Sequence, residues 1–191
     1  FAADLTIMEE GNEFLHRLKT SMQLRAEAFH QSLEPSGTVQ VEEIPKTPVF
    51  SEERIVPDFN ICTTSIKFRL ELYSKCRDLG LTPLGPEIST YYTDLLGQFV
   101  IQDCRLRIGI LVKEAPDCGQ IQEFGGFTAV TAAHIGSYDT LVNTHLMMHR
   151  WIKQNGYELD GPVSDEFTIS PIDALDQKNQ VLKTIMPVRK L

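Results

Sequence analysis

The sequence GLTPLGP at residues 80–86 is followed, 76 positions later, by GYELDGP at residues 156–162. The two stretches share two glycines and a proline at the same spacing, and the register continues without a gap over more than 40 residues. Within it, Arg107 aligns with Lys183. A repeat of this period indicates two copies of one small structural unit.

Around each copy, the hydrophobic pattern predicts one helix and several strands. The helices are predicted at residues 63–79 and 138–155, where apolar residues recur every three or four positions, and Gly80 and Gly156 end them. Runs of β-branched and aromatic residues between turn residues predict strands at 38–44, 48–56, 87–94, 103–113, 127–134, 164–169 and 180–189. The sequence therefore predicts an α+β domain over residues 35–191, with helix-on-sheet modules at about 38–114 and 124–191.

Composition places the chain among folded globular proteins. Of its 191 residues, 42% are hydrophobic and 23% are charged, which excludes wholesale disorder. The formal charge is −8, so the chain is a poor candidate for binding a nucleic-acid backbone by itself. We expect a cytoplasmic protein without a membrane partner, because the sequence has no membrane-length apolar run and its start is acidic. It does not start with Met, so we expect a processed chain or a piece of a longer one.

Residues 5–33 predict a long amphipathic helix, because they contain no proline and only one glycine. Leu15, Leu18 and Met22 fall at the a and d positions of a heptad. Isolated helices are marginally stable in water, so this segment (residues 1–34) is expected either to form a homodimer with its counterpart or to pack on its own domain.

No metal or cofactor site is predicted. The four cysteines are Cys62, Cys76, Cys104 and Cys118. They never approach C-x-x-C spacing, so buried thiols are expected. His145 and His149 lie four positions apart, which suits metal binding, but no third ligand is evident. We therefore interpret His145 as a residue of the ligand pocket or of the core.

The second copy carries several motifs in a fixed order. They are IGSYDTL at residues 135–141, WIKQNGY at residues 151–157, the Gly-Pro at 161–162, Glu166 with Phe167, and a closing IMPV at residues 185–188. This order resembles that of the GyrI-like domains, which are effector-binding domains of bacterial transcription activators, including multidrug sensors of the BmrR kind. The resemblance covers residues 38–190.

The resemblance implies two β-α-β-β modules related by a pseudo-twofold axis, with a concave antiparallel sheet and an apolar, aromatic-lined ligand cavity. It implies binding of small lipophilic, cationic compounds, and it implies a sensor rather than an enzyme. In MerR-type regulators of this kind, a dimerisation helix precedes the domain, and a helix-turn-helix precedes that helix. Residues 5–33 suit the helix, so the resemblance implies contact with DNA only through a domain absent from this chain.

Glu166 is the principal candidate for contact with a ligand, since it occupies the family's Glu-aromatic position on a predicted strand. Glu166 and Phe167 must point to opposite faces, so only one of them lines a given surface. The repeat mate of Glu166 is Thr90, so only one module carries the acid. Lys183 departs from the family pattern and is a candidate partner of Glu166 in the empty state. The other predicted ligand-binding residues are Phe59, Tyr91, Tyr92, Phe127, Tyr138, His145 and Trp151.

Two other functions remain open from the sequence. In some GyrI-like proteins the pocket glutamate resembles that of a hydrolase, and Glu166 would then act as a general base. A module that binds a protein partner, without a small ligand, is the other alternative.

Overall fold

The computed structural model describes residues 38–56, 61–93, 104–113, 119–170, 172–173 and 176–191. In these residues the strands are β1 (Val39–Ile44), β2 (Thr47–Val56), β3 (Pro83–Tyr91), β4 (Cys104–Val112), β5 (Ile121–Phe124), β6 (Phe127–Ile135), β7 (Tyr157–Leu159), β8 (Val163–Ile169) and β9 (Val181–Lys190). The helices are α1 (Ile61–Asp78) and α2 (Tyr138–Gln154), and a short 3₁₀ turn (Gln177–Asn179) precedes β9. The helix predicted over residues 5–33 lies outside the described residues.

The predicted strands and the two helices of the repeat are present, with ends that differ by a few residues from the prediction. Both helices end at the predicted glycines, and Gly80 and Gly156 adopt left-handed φ angles of 66° and 73°. The sequence did not predict β5 and β7. Strands of four and three residues are too short for an alternating pattern to be recognised.

The strands form one antiparallel, curled sheet, in the order β1-β6-β9-β8-β3-β4-β2-β5, and β7 pairs with β9 outside this path. The register follows the 76-residue repeat. Pro83 of β3 pairs with Val112 of β4, and the equivalent Leu159 of β7 pairs with Val188 of β9. The fold is therefore an α+β half-barrel built from two equivalent halves.

The two halves are joined by the antiparallel pairing of β3 with β8. Ser89 lies opposite Asp165 in this pairing, and these two residues are themselves repeat mates. The pseudo-twofold axis therefore passes between them. On either side of this pair, equivalent positions of the two halves lie close to each other at the centre of the sheet.

Each half also receives an edge strand from the other. β1 leads into β2 but pairs with β6, and β5 leads into β6 but pairs with β2. The two connections meet where the amide of Gly126 donates a hydrogen bond to the carbonyl of Ile44, at 2.7 Å. Gly125 has a φ of 99°, and a Cβ atom there would lie 2.1 Å from the carbonyl oxygen of Pro45. Only glycine fits this crossing.

Both helices pack on one face of the sheet and bury the main hydrophobic clusters there. Phe68 and Leu72 of α1 pack on β2 and β4, and Met148 and Ile152 of α2 pack on β6 and β9. The described cysteines Cys76 and Cys104 are buried and form no disulfide, as expected from the sequence, whereas Cys118 and the side chain of Cys62 lie outside the described part. No helix in the described ranges has the length and apolar character needed to cross a membrane.

A buried ion pair lies between α1 and the sheet. The Nε atom of Arg69 donates to Oε2 of Glu87 at 2.6 Å, and its Nη2 donates to the hydroxyl of Ser89 at 2.8 Å. Both charged side chains are almost fully inaccessible to solvent. Burial raises the pKa of Glu87, and the charge of Arg69 opposes this effect. Each charge therefore depends on the other for its stability in the core.

The other half carries a related buried pair at the equivalent helix position. His145 is the repeat mate of Arg69, and its Nε2 lies 3.3 Å from Oδ1 of Asp165. Thr184 donates to the same carboxylate oxygen at 2.7 Å. The repeat thus places a basic side chain under the sheet in both halves, although the acid stands two positions further along the strand in the second half.

We expect the Arg69–Glu87 pair to show strong coupling in a double-mutant cycle. Glu87→Gln or Arg69→Met leaves a buried charge without its partner and should lower the free energy of unfolding by about 3–5 kcal/mol. The double variant Arg69→Met/Glu87→Leu removes both charges and should lose much less than the sum of the single changes. Urea unfolding of the four proteins measures the coupling, and additive losses would contradict it.

The stability of the fold should also depend on His134. The Nδ1 atom of His134 is hydrogen-bonded to the hydroxyl of Thr144 at 2.9 Å. Burial is the main reason that the pKa of His134 lies below the usual 6.5, and nearby His145 also lowers it. Ser137 and Asp165 oppose this shift. The unfolded chain therefore takes up a proton first as the pH falls through 6.5, so stability is lost from there down to the lower pKa of the folded state. The loss is limited to about 1.4 kcal/mol per pH unit for this one proton.

We expect His134→Asn to lose less stability than the parent protein when the pH is lowered from about 7 to about 5. Urea unfolding at a series of pH values measures this. Parallel curves for the two proteins would show that His134 does not contribute to the pH dependence.

Candidate functional site

A cavity of about 150 Å³ lies on the face of the sheet opposite the helices. Successive side chains of a strand point to opposite faces of the sheet, so each strand contributes residues both to the cavity side and to the helix side. On β3, Ile88 and Thr90 line the cavity, while Glu87 and Ser89 face Arg69 of α1. The residues that line the cavity come from β2, β3, β4, β8 and β9 and from the β5–β6 segment.

The apolar part of the cavity wall is aromatic on one side. Phe124 and Phe127 flank the glycine turn between β5 and β6, and their rings meet edge to face with centroids 5.7 Å apart. The other apolar lining residues are Val49, Ile88, Pro162 and Pro187. The two phenylalanines also pack against Ile44, Ala129 and Ile185. This cluster lies on the concave face of the second half and bounds the cavity on that side.

The floor of the cavity is made of small polar residues. Thr90 and Ser164 face each other across the β3–β8 pairing, and their hydroxyl oxygens share a hydrogen bond of 2.9 Å. Ser51 of β2 also lines the cavity. Short side chains at the centre of the sheet leave room above them and offer hydroxyl groups to a ligand.

One end of the cavity carries a cluster of charges around Tyr92. Arg107 lines the cavity, and its Nη2 donates to Oε2 of Glu53 at 3.1 Å. Arg105 donates to the other oxygen of the same carboxylate. The two guanidinium groups lie 4.8 and 5.1 Å from the centroid of the Tyr92 ring. The hydrogen bond from Arg105 is the main reason that the pKa of Glu53 is lowered, so this carboxylate stays ionised. Burial raises the pKa of Tyr92, so its hydroxyl stays protonated.

Gly109 of β4 keeps the floor open beside Val49. A Cβ atom at Gly109 would lie 2.3 Å from Cγ1 of Val49 and 3.2 Å from Cβ of Ser51. Valine is β-branched and has little rotational freedom, so it cannot move aside easily. The absence of a side chain at position 109 therefore lets Val49 lie flat against the sheet.

We expect Gly109→Ala to lower the free energy of unfolding by about 1–3 kcal/mol through overpacking against Val49. The additional change Val49→Ala removes the clashing methyl groups, so the double variant should lose less than the sum of the two single variants. Thermal unfolding of the three variants and the parent protein tests this coupling. Simple additivity would mean that the backbone accommodates the new methyl group.

The structure places Glu166 on the concave face but not among the residues that line the cavity. It lies on β8 opposite Ile88 on one side and opposite Lys183 on the other, and it is partly exposed. Phe167, as predicted, points to the other face and packs with Leu141 under α2. The ammonium group of Lys183 lies 3.4 Å from Glu42.

The other predicted site residues divide between the two faces of the sheet. Tyr92 and Phe127 line the cavity. Tyr91, Trp151 and His145 lie on the helix side instead: Tyr91 is buried under α1, Trp151 stacks on Tyr157, and His145 pairs with Asp165. Phe59 and the side chain of Tyr138 lie outside the described residues.

Sequence reasoning did not single out the lining residues Arg107, Phe124, Thr90 and Ser164. The repeat offered a signal for two of them, because Thr90 and Ser164 are the repeat mates of Glu166 and Ile88. Arg107 was visible only as the repeat mate of Lys183, and the sequence does not say which strand face is concave. In the described part of the chain, no group of three or more His, Cys, Asp or Glu side chains is arranged to hold a metal ion.

Comparison with known proteins shows a similarity to one domain family. Residues 100–189 match the family model described as the GyrI-like small molecule binding domain. This match spans β4 to β9 and agrees with the resemblance carried by the motifs of the second half. Residues 100–189 are therefore similar to the GyrI-like small molecule binding domain. Among curated proteins, no match to the sequence is found.

Solved structures share the fold. The C-terminal domain of EcmrR superposes with a TM-score of 0.69 at 24% identity, covering 81% of this chain and 98% of that one. EcmrR in its complex with DNA gives a TM-score of 0.70 at 21% identity, covering 99% of this chain and 72% of that one. A protein from Listeria innocua described as a hydrolase, encoded by lin2189, gives 0.58 at 13% identity, with 85% and 97% covered. At these identities the likeness concerns the fold alone.

Proposed function

We propose that this chain is the effector-sensing part of a MerR-type transcription regulator, and that its concave cavity binds a small lipophilic molecule. The match of residues 100–189 to the GyrI-like small molecule binding domain supports the binding of a small molecule. The shared fold with EcmrR, whose structure was solved in complex with DNA, supports the regulatory context. The observation that carries the proposal is the cavity itself, at the junction of the two halves of the sheet.

The lining of the cavity favours a ligand with an apolar body. Phe124, Phe127, Pro162 and Pro187 offer flat, rigid surfaces that gain free energy when a ligand displaces water from them. Thr90 and Ser164 offer polar groups that orient the ligand. The space of about 150 Å³ suits a compact molecule of one or two rings better than a large drug.

Binding of a ligand in the cavity changes the state of the regulator only if the ligand has a higher affinity for one conformation of the regulator than for the other. The cavity is bounded by β3 and β8, which join the two halves, and by the β5–β6 segment, which crosses between them. A ligand that contacts both halves therefore favours one relative position of these elements. We propose that this preference is passed on to a dimer through the helix predicted at residues 5–33.

A blocking substitution at the edge of the sheet tests the site. Gln122 is an exposed residue of β5 that lines the cavity, and Gln40 is an exposed residue of the opposite edge strand, β1, outside it. We expect 2-naphthamide, a neutral two-ring probe, to bind the parent protein and Gln40→Trp equally. Gln122→Trp should weaken binding at least about tenfold, which is about 1.4 kcal/mol, because the indole occupies the mouth of the cavity.

Isothermal titration calorimetry with the purified chain measures the three affinities. Circular dichroism confirms that both Trp variants are folded, which is expected because both positions are exposed. Equal affinity in Gln122→Trp and Gln40→Trp would place the ligand elsewhere and refute the proposed site.

The predicted role of Glu166 in cation binding has its own test. 2-Naphthylmethylammonium is a lipophilic cation of the same two-ring size, and if Glu166 provides its counter-charge, Glu166→Gln should weaken its binding by about two- to fivefold, as expected for one partly exposed carboxylate. Binding of 2-naphthamide serves as the control and should not change. Equal affinity for 2-naphthylmethylammonium in the two proteins would remove Glu166 from the binding mechanism.

A further inference from the structure

We infer that the ligand of this cavity carries an acidic group, of the carboxylate class, that binds to the guanidinium group of Arg107. The inference rests on the proposed function and specifies the chemical class of the ligand. It reverses the charge preference that the resemblance implied through Glu166. It follows from the charges that the structure places in and around the cavity wall.

Among the described residues, the charge cluster at the end of the cavity has an excess of positive charge. Arg105 and Arg107 share one carboxylate, that of Glu53. Because the pKa of Glu53 is already lowered by its arginine partners, Glu53 contributes one full negative charge against two permanent positive charges. One positive charge is therefore left to attract an anion to this end of the cavity.

Arg107 can present this positive charge to a ligand in the cavity. Its side chain is about one-third exposed, and its hydrogen bond to Glu53 uses Nη2, one of several N–H-bearing nitrogens of the guanidinium group. The residue directly opposite it on β3 is Thr90, which is neutral. A carboxylate in the cavity can therefore form a bidentate, charge-assisted pair with Arg107 next to the hydroxyls of Thr90 and Ser164.

The position equivalent to Arg107 in the second half has different charged neighbours. Lys183 is the repeat mate of Arg107, and the residue opposite it on β8 is Glu166, the repeat mate of Thr90. Lys183 also lies 3.4 Å from Glu42. The acid that the family pattern places on β8 therefore stands beside a lysine, whereas the arginine of the first half faces the cavity.

The other charged and aromatic groups that the structure describes do not favour a cation at this end of the cavity. Glu123 lines the cavity but is two-thirds exposed at its rim, where it forms an ion pair with Lys46. The ring of Tyr92 is already flanked by the guanidinium groups of Arg105 and Arg107. A cationic ligand stacked on Tyr92 would therefore lie next to two like charges.

Three naphthalene derivatives of the same size test the inference. We expect 2-naphthoate to bind the purified chain at least about tenfold more tightly than neutral 2-naphthamide, and 2-naphthylmethylammonium to bind most weakly. Isothermal titration calorimetry at pH 7.5 gives the three affinities under identical conditions. Equal binding of the naphthoate and the amide, or tightest binding of the ammonium compound, would overturn the inference while leaving the lipophilic cavity in place.

Substitution of the two arginines distinguishes a direct contact between the ligand and Arg107 from the general electrostatic attraction of the positive charges. Arg107→Gln should reduce the preference for naphthoate over the amide to about twofold or less, and Arg107→Lys should keep part of it. Arg105→Gln is the matched control, because Arg105 also binds Glu53 but does not line the cavity. It removes the same positive charge without removing a group that lines the cavity, so it should reduce the preference less than Arg107→Gln does. An equal loss in both Gln variants would argue against a direct contact with Arg107.

Binding of 2-naphthamide serves as the internal control for an intact cavity in each variant and should stay within about twofold of the parent protein. If none of the three compounds binds the parent protein, the proposed cavity site fails and the inference fails with it. If the amide binds and the naphthoate shows no preference, only the inference fails.

Discussion

The pairing of β3 with β8 is the interaction on which the rest of the structure depends. It joins two equivalent halves into one continuous sheet, and it does so around Ser89 and Asp165, which are repeat mates. Backbone hydrogen bonds between antiparallel strands fix the register, and a shift of one residue would exchange the faces of every side chain. The cavity on one face and the buried ion pairs on the other both require this register.

Alternation along these strands separates two chemical environments by the thickness of one sheet. On β3, Thr90 contributes a hydroxyl to the cavity, while its neighbour Ser89 binds a buried guanidinium on the other side. On β8, Ser164 and Asp165 divide in the same way. Buried charged groups under the helices are therefore paired with each other in the core and are not available to a ligand, whereas the groups on the concave face are.

The two halves have the same backbone but not the same side chains on the concave face. The second half fills this face with an apolar cluster around Ile185 and Phe127, and the first half has Gly109 at the position equivalent to Ile185. Exchange of the edge strands brings Phe124 and Phe127 over the boundary between the halves. The duplication thus provides the scaffold, and substitutions at a few equivalent positions place an asymmetric cavity on it.

Local sequence patterns were sufficient to predict the two helices of the repeat, the longer described strands and the repeat itself. Helical spacing and the closing glycines depend on near neighbours in the chain, and the 76-residue register is visible in residues such as Gly85 and Gly161. The family-typical motifs also indicated the class of domain. Of the aromatic residues named from the sequence, Phe127 and Tyr92 line the cavity, and their contact with a ligand stays a prediction.

Tertiary structure decided which face of each strand is concave and which charge reaches the cavity. Glu166 and Arg107 are both charged strand residues, and nothing in the local sequence distinguishes a residue beside the cavity from one that lines it. The outcome depends on partners that are distant in the chain: Glu53 lies on a strand 54 positions before Arg107, and Lys183 lies on a separate strand opposite Glu166. The charge of a binding site is a sum over such contacts, so it emerges only when the strands are assembled into the sheet.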